Sequence, residues 1–359
     1  MRANQVLPFM LAGTAGCLDL QALQSDAKDA ALPPVEDMAL STNDMAMKPA
    51  DMAVPAKDMT VIQDMTAPPV TWTQQHKITN INLYALHGKT VGAETTIWAV
   101  GDNSKSAYYT TTANKWTSKD MDGAKDKTFR GLWAASEKVV WAVADGGFIY
   151  KGDNAGGWAA LTSNVTTNLS GIFGNSGTDI LVSGADTAKF LASTDGTAWT
   201  ALTHNQTSAS TGMWVTGTLT FASAPAGVAI RGSDRSTWSL ETTQAATTFN
   251  SVSGFDDKNV YTVGNGGYIA KWDSANTKWV PTKVDVAGRD FLSVWAISAT
   301  DVWAVGKTGM AYRNDGTKWN FVGPTAIATY DLRAVWGDAK GVYVAAYDPG
   351  SKDSFIYKY

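Results

Sequence analysis

Two arginines occupy the same position in a repeated pattern and are the first candidates for ligand binding. Arg130 lies three residues before Trp133, and Arg333 lies three residues before Trp336. The matching positions elsewhere in the chain hold Ile81, Ser170, Thr211, Asn250 and Leu292. Catalysis of the sialidase type needs an arginine cluster with a nucleophilic tyrosine and an acid, and two arginines do not make a triad. We therefore treat Arg130, Asn250 and Arg333 as candidate binding residues.

Carboxylates near the predicted loops are the second group of candidates. Asp145, Asp331 and Asp348 fall in or beside such loops. Glycoside hydrolysis needs two carboxyl groups about 5–9.5 Å apart, and the sequence brings no pair together. Aspartate is also common in turns because its side chain bonds the local backbone. We expect no catalytic residue, and we take Asp331 as a fourth binding candidate that could pair with an arginine.

The histidines and the single cysteine offer little metal or redox chemistry. His76, His87 and His204 are scattered and show no His-x-x-x-His spacing. Cys17 is the only cysteine, which rules out a disulfide within the chain and a cysteine-based metal site. We therefore expect no metal and no cofactor.

The elements that would position these residues follow from a repeat of about 41 residues. One tryptophan ends each unit, at intervals of 44, 42, 41, 39, 41 and 40: Trp72, Trp116, Trp158, Trp199, Trp238, Trp279 and Trp319. Within a unit, short β-branched and aromatic runs such as 301–306 are closed by Gly or Asp-Gly turns, which is typical of strands. These runs are apolar on both faces, so their sheets must be covered on both sides.

Four such strands per unit, repeated seven times, predict an all-β fold: a seven-bladed β-propeller of four-stranded antiparallel blades. The last unit stops after residues 355–359 and lacks a fourth strand, whereas residues 70–73 form an unpaired tryptophan-marked strand. We expect this N-terminal strand to complete the seventh blade, because closure removes free sheet edges. The predicted domain spans 70–359.

The repeats resemble a known group of propellers. Residues 301–306 with 315–319 are similar to repeats of the BNR/Asp-box and photosystem-II-assembly-factor-like propellers, over about 290 residues of the chain. The Asp-box pattern is approximated by 193–199, one residue short. The resemblance implies that this box is a structural turn between the third and fourth strands and carries no catalysis.

Charge and composition divide the chain near residue 70. Residues 18–70 contain no aromatic residue and carry nine acids against three lysines, while all 15 tryptophans lie at or after Trp72. The remaining 25 basic and 24 acidic residues make the predicted propeller nearly neutral. Nucleic-acid binding is therefore disfavoured, because it needs a strongly basic face.

The first residues indicate export. Arg2, the apolar run 7–12 and the small residues 14–16 precede Cys17, and this order is typical of a signal peptide too short to span a membrane. Ala15-Gly16-Cys17 resembles the lipobox of bacterial lipoproteins, with Thr14 where Leu is usual. The resemblance implies a signal peptide at 1–16, lipidation of Cys17 and, because Leu18 follows, outer-membrane or cell-surface location; a periplasmic or secreted protein is the alternative.

Residues 17–69 are predicted to be a disordered tether. Asp-Met recurs five times from Asp37 at intervals of 7, 7, 7 and 6, which suggests a coiled coil. The prolines within and beside this stretch would break a helix, and one apolar position per repeat cannot form a seam. Low hydrophobicity and excess acid favour a disordered linker instead.

The sequence therefore predicts a membrane-anchored, non-enzymatic scaffold, monomeric and attached to the membrane only through lipid. Its partner would be a protein or a glycan, with no nucleic acid. Two alternatives remain: a carbohydrate-active hydrolase or lyase of the Asp-box type, and an assembly factor for an envelope protein complex.

Overall fold

The computed structural model describes residues 71–121, 123–185, 189–204, 208–225, 228–232, 235, 237–243 and 247–359; of 228–231, 240 and 242 only the backbone is described. The predicted signal peptide, the lipidation site Cys17 and the tether at 17–69 lie outside these residues.

The described residues form seven four-stranded antiparallel sheets, each one blade. Blades 1 to 3 each contain four consecutive strands, in chain order: β2 (Leu83–Val91), β3 (Glu94–Gly101), β4 (Lys105–Thr110), β5 (Lys115–Asp120); β6 (Phe129–Ser136), β7 (Val139–Ala144), β8 (Ile149–Asp153), β9 (Trp158–Leu161); β10 (Leu169–Ser176), β11 (Asp179–Gly184), β12 (Phe190–Ser193), β13 (Thr200–Ala201). Blades 4 to 6 follow: β14 (Gly212–Thr216), β15 (Leu219–Ser223), β16 (Val228–Gly232), β17 (Trp238–Thr242); β18 (Phe249–Gly254), β19 (Val260–Gly264), β20 (Tyr268–Asp273), β21 (Lys278–Lys283); β22 (Phe291–Ser298), β23 (Asp301–Gly306), β24 (Ala311–Asn314), β25 (Trp319–Phe321). Blade 7 combines both ends of the described chain: β26 (Asp331–Asp338), β27 (Gly341–Asp348), β28 (Asp353–Lys358) and β1 (Thr73–Ile78).

Four short 3₁₀ turns lie between the described strands: Asp102–Ser104, Asp145–Gly147, Asn265–Gly267 and Thr325–Ile327. None of the described segments is a helix long and apolar enough to cross a membrane.

The first strand of each blade lies innermost, and these strands form a closed ring. β2 contacts β6, and the contacts continue through β10, β14, β18 and β22 to β26, which contacts β2 again. The second strands are buried on both faces, as the apolar runs predicted; Trp98, Trp141 and Trp303 are fully buried. Burial of such aromatic surface between blades is the main contribution to stability.

The N-terminal strand completes blade 7, as the incomplete last repeat predicted. β1 pairs antiparallel with β28, with Thr73 opposite Lys358 and Ile78 opposite Ser354. The paired segment begins at Thr73, so Trp72 lies just outside the strand to which the sequence had assigned it. Its indole N–H donates to the carbonyl of Val322, the residue after β25 of blade 6, at 2.7 Å.

The Asp-box-like segment forms a turn between the third and fourth strands of blade 3. The Asp195 carboxylate accepts hydrogen bonds from the Thr197 and Ala198 backbone N–H groups, at 2.7 and 2.8 Å. These bonds lower the pKa of Asp195 to about 2. The carboxylate therefore fixes a turn and is a poor proton donor at neutral pH.

Candidate functional site at the axis of the ring

A β-bulge lies at the start of six of the seven innermost strands described. The register shifts between Phe129 and Gly131, for example, so Arg130 has no partner on β7. Bulges redirect a side chain out of the regular pleat. The residues at this position, with Thr211 from blade 4, line a cavity of about 430 Å³ at one end of the axis, here called the polar mouth: Tyr84, Arg130, Ser170, Thr211, Asn250, Leu292 and Arg333.

One member of this set was predicted wrongly. The sequence placed Ile81 at the bulge position of blade 1, but Ile81 is buried between blades and Tyr84 lies at the mouth. The predicted Ile81 lies three residues before Tyr84, whereas the structure places His87, and not Tyr84, at the position that Trp133 holds in blade 2. Aligning His87 with the tryptophans would have identified Tyr84.

Three residues of the polar mouth form hydrogen bonds between neighbouring blades. Ser170 donates a hydrogen bond to the Ser210 carbonyl, Thr211 to the Phe249 carbonyl and Asn250 to the Phe291 carbonyl, each acceptor lying in the next blade. Asn250 also donates to Asn265 at 2.8 Å. The sequence proposed Asn250 as a binding residue, and these bonds place its amide in a contact between blades.

The other half of the polar mouth presents two guanidinium groups around one aromatic ring. Arg333, Tyr84 and Arg130 come from the adjacent blades 7, 1 and 2. The guanidinium carbons of Arg130 and Arg333 lie 5.5 and 5.8 Å from the centre of the Tyr84 ring, within the range of cation–π attraction. Burial raises the pKa of Tyr84, so its hydroxyl stays protonated and can act as a hydrogen-bond donor.

Each arginine is also held by an aspartate. Asp145 accepts from Arg130 Nε and Nη2 at 2.7 and 2.9 Å, and this pairing raises the pKa of Arg130. Asp331, the fourth residue proposed from the sequence, lies 3.1 Å from Arg333 Nη2. The sequence did not indicate that Asp145 pairs with Arg130. The two pairs make this half of the mouth neutral overall, while each guanidinium, with five N–H donors, keeps donors for a ligand.

The carboxylates considered for catalysis do not have the character of a general acid. Asp145 and Asp331 are each ion-paired, and hydrogen bonds from Ser351 and Gly350 lower the pKa of Asp348. A glycosidase acid needs a raised pKa. Among the described carboxyl groups with a clear shift, every pKa is lowered. In the part of the chain described, no three potential metal ligands cluster.

The opposite end of the axis has different chemistry. A second cavity of about 460 Å³, here called the aromatic mouth, is lined by aromatic side chains three residues beyond the bulge position: His87, Trp133, Phe173, Trp214, Trp295 and Trp336. Several of these rings pack on a glycine of the next blade; a Cβ at Gly88 would lie 2.8 Å from the Trp336 ring, and one at Gly254 would lie 2.8 Å from that of Trp214.

Buried His87 lies across the axis below the aromatic mouth. Its ring centre is 5.0 Å from that of Trp295 in blade 6 and 6.1 Å from that of Phe173 in blade 3. Nδ1 accepts a hydrogen bond from the Ala134 N–H at 3.2 Å, which places the proton of the neutral ring on Nε2. Burial lowers the pKa of His87 to about 3, so the imidazole is neutral across the physiological range.

Ring closure and the axial mouths define the class of protein: a β-propeller with a polar and an aromatic end. Virginiamycin B lyase from Staphylococcus aureus is similar, with a TM-score of 0.66 and 12% identity over 80% of this chain and 99% of that enzyme. YCF48 from Cyanidioschyzon merolae has a TM-score of 0.63 and 13% identity over 80% and 98% of the two chains. A YCF48 structure bound to D1 peptide has a TM-score of 0.64 and 13% identity over 82% and 96%.

No protein-family model and no curated protein matches the sequence. The likeness to solved structures, at 13% identity or less, shows the fold alone, since unrelated functions share the propeller.

Proposed function

We propose that this protein is a membrane-anchored, non-enzymatic scaffold that binds a peptide segment of a protein partner at the polar mouth. The observation that carries the proposal is the Arg333–Tyr84–Arg130 half of the mouth, where two guanidinium groups flank one aromatic ring. Hydrogen-bond donors held rigidly at an open cavity suit carbonyl-rich ligands. Asp145 and Asp331 offset the positive charge of the two arginines, which favours a peptide backbone over a strong polyanion.

The absence of catalysis belongs to the same proposal. The lowered carboxyl pKa values support binding over acid–base chemistry, and the YCF48 structure with its D1 peptide illustrates that a propeller of this kind can hold a peptide. A role as an assembly factor for an envelope complex would be one form of this binding. A glycan ligand, the other partner considered from the sequence, would compete for the same donors.

Binding can be tested by capture from detergent-solubilised envelope. We expect full-length protein to retain a stoichiometric partner and the double variant Arg130→Gln/Arg333→Gln to retain about tenfold less, because two charge-assisted donors are lost. Lys307→Gln is the matched control, since Lys307 is ion-paired with Asp290 at 2.7 Å in a loop joining second and third strands, like the loop holding Asp145. Equal capture by all three proteins, or no partner for the intact fold, would overturn the proposal.

The anchor at Cys17 needs a separate test. Labelled palmitate should be incorporated into the wild-type protein and not into Cys17→Ser, and only the wild type should partition into the detergent phase. If neither protein incorporates palmitate, the proposed membrane anchor is wrong and the scaffold is a secreted protein.

A further inference from the structure

A groove of about 890 Å³ lies between blades 5 and 6, away from the axis. We call it the lysine groove, and the lining residues that matter for ligand binding are Lys258, Tyr261, Lys271, Val280, Lys318 and Trp319. None of these residues takes part in the polar mouth, so the groove is separate from the site proposed above.

The groove follows from the alternation of β21 and the shortness of β25. On β21, Trp279 is buried against Phe221 of blade 4, with ring centres 6.0 Å apart. Val280 therefore points to the other face of the sheet, toward blade 6, where it is 45% exposed. β25 has three residues, too few to cover this face. An apolar wall is left open between the two blades.

The floor of the groove is aromatic. Buried Tyr261 meets Trp319 edge to face, with ring centres 6.1 Å apart, and Lys271 Nζ lies 5.4 Å from the centre of the Tyr261 ring. An aromatic floor with an exposed valine beside it favours apolar side chains of a ligand.

The groove carries a net positive charge, because three lysines and one acid, Asp273, are among its lining residues. Lys258, Lys271 and Lys318 are exposed, and no described carboxylate lies within ion-pair distance of any of them. Asp273, the one acid among its lining residues, accepts hydrogen bonds from Ala275 and Asn276 of its own turn. These bonds lower its pKa and tie its carboxylate to the turn. The lysines are therefore available to an anionic partner.

We infer that the lysine groove binds an extended acidic peptide segment whose carboxylates alternate with apolar side chains. The apolar side chains would cover Tyr261, Trp319 and Val280, and the carboxylates would meet the three lysines at the rim, which provides charge complementarity. A nucleic acid fits less well, because recognition of a phosphate backbone needs a broad basic surface and residues 70–359 are nearly neutral.

Selection of random 12-residue display peptides on the full-length protein tests this inference. We expect peptides enriched in Asp and Glu alternating with aromatic or aliphatic residues. The triple variant Lys258→Glu/Lys271→Glu/Lys318→Glu should bind the selected peptides about tenfold more weakly by fluorescence polarisation, because favourable contacts become repulsive. All three lysines are exposed, so the variant should keep the wild-type melting temperature.

Lys115→Glu is the matched control. Lys115 precedes Trp116 on the outer strand of blade 1 as Lys318 precedes Trp319 in blade 6, and its loss should leave peptide binding unchanged. Selected peptides that lack acids, or that bind the triple variant as well as the wild type, would overturn the inference. Peptides that lose binding only with Arg130→Gln/Arg333→Gln belong to the polar mouth and would also count against the groove.

Discussion

The polar mouth and the aromatic mouth are built from the same seven inner strands, yet their side chains differ in chemistry and in how much they vary between blades. At the polar mouth, the bulge position varies from blade to blade: Tyr in blade 1, Arg in blades 2 and 7, and Ser, Thr, Asn or Leu in the others. Three residues further on, five of the seven positions hold Trp or Phe. The repeat therefore keeps one end apolar for packing and leaves the other free to vary.

This difference has a physical origin in the contacts of each position. The aromatic rings pack on neighbouring blades, where almost any change in volume creates a cavity or a clash. The bulged residues point away from the sheet ladder, and a change there disturbs only side-chain hydrogen bonds. Specificity for a ligand is thus expected at the polar mouth, and stability at the aromatic one.

The largest expected effect comes from β26, which contributes one residue to each mouth. Trp336→Ala should lower the free energy of unfolding by about 3–5 kcal/mol, because a buried indole is removed, whereas Arg333→Ala, which removes a partly buried ion pair with Asp331, should cost about 1.5–2 kcal/mol. Denaturant titration of both variants measures the contrast. Similar losses for the two variants would contradict the division between the ends of the axis.

The acid sensitivity of the aromatic mouth is the second expectation. Because burial lowers the pKa of His87 to about 3, the unfolded chain takes up a proton below about pH 6.5 that the folded protein does not. Stability should therefore fall as the pH drops from 6.5 toward 3, by about 1.4 kcal/mol per pH unit from this residue. Unfolding between pH 6 and 4.5 should show a shallower pH slope for His87→Gln than for the wild type.

That pH window also separates His87 from the aspartates. Hydrogen bonds lower the pKa of Asp195 and Asp315, and the stability from such carboxylates is lost only as the pH falls through about 4 and below. Identical slopes for wild type and His87→Gln above pH 4.5 would show that the imidazole is not buried across the axis.

The smallest effect is expected at the Arg130–Asp145 pair of the polar mouth. Its side chains are 41% and 29% exposed, so Asp145→Asn should cost no more than about 1 kcal/mol. The difference from the wild type should shrink in about 1 M salt, where screening acts over about 3 Å. Denaturation midpoints with and without salt measure this, and a loss that is large and independent of salt would assign the pair to the core.

The blades could be predicted from the sequence because their signals are local and repeated. The tryptophan spacing and the Gly or Asp-Gly turns give strand order within a unit, and the missing strand after residues 355–359 predicted the pairing of β1 with β28. The residues of the polar mouth were harder to predict from the sequence. Arg130 and Arg333 were found by register, but Tyr84 was missed because the register in blade 1 was set three residues too early, at Ile81.

What the sequence did not reveal depends on geometry between blades. Arg130 and Asp145 are 15 residues apart and meet only because a bulge turns one toward a loop of the same blade. The contact of Asn250 between blades could not be predicted, because its acceptor is the Phe291 carbonyl of the next blade. The lysine groove depends on the lengths of β21 and β25, and strand lengths are not fixed by turn residues alone.

The join in blade 7 sets the order of events during synthesis of the protein. Strand β28 is the immediate partner of β1, so the ring cannot close until the ribosome has translated past residue 358. A chain cut short before residue 353 would carry two bare sheet edges at once. Every nascent molecule passes through that open form, in which the bare edges can pair with neighbouring chains, until β28 is made.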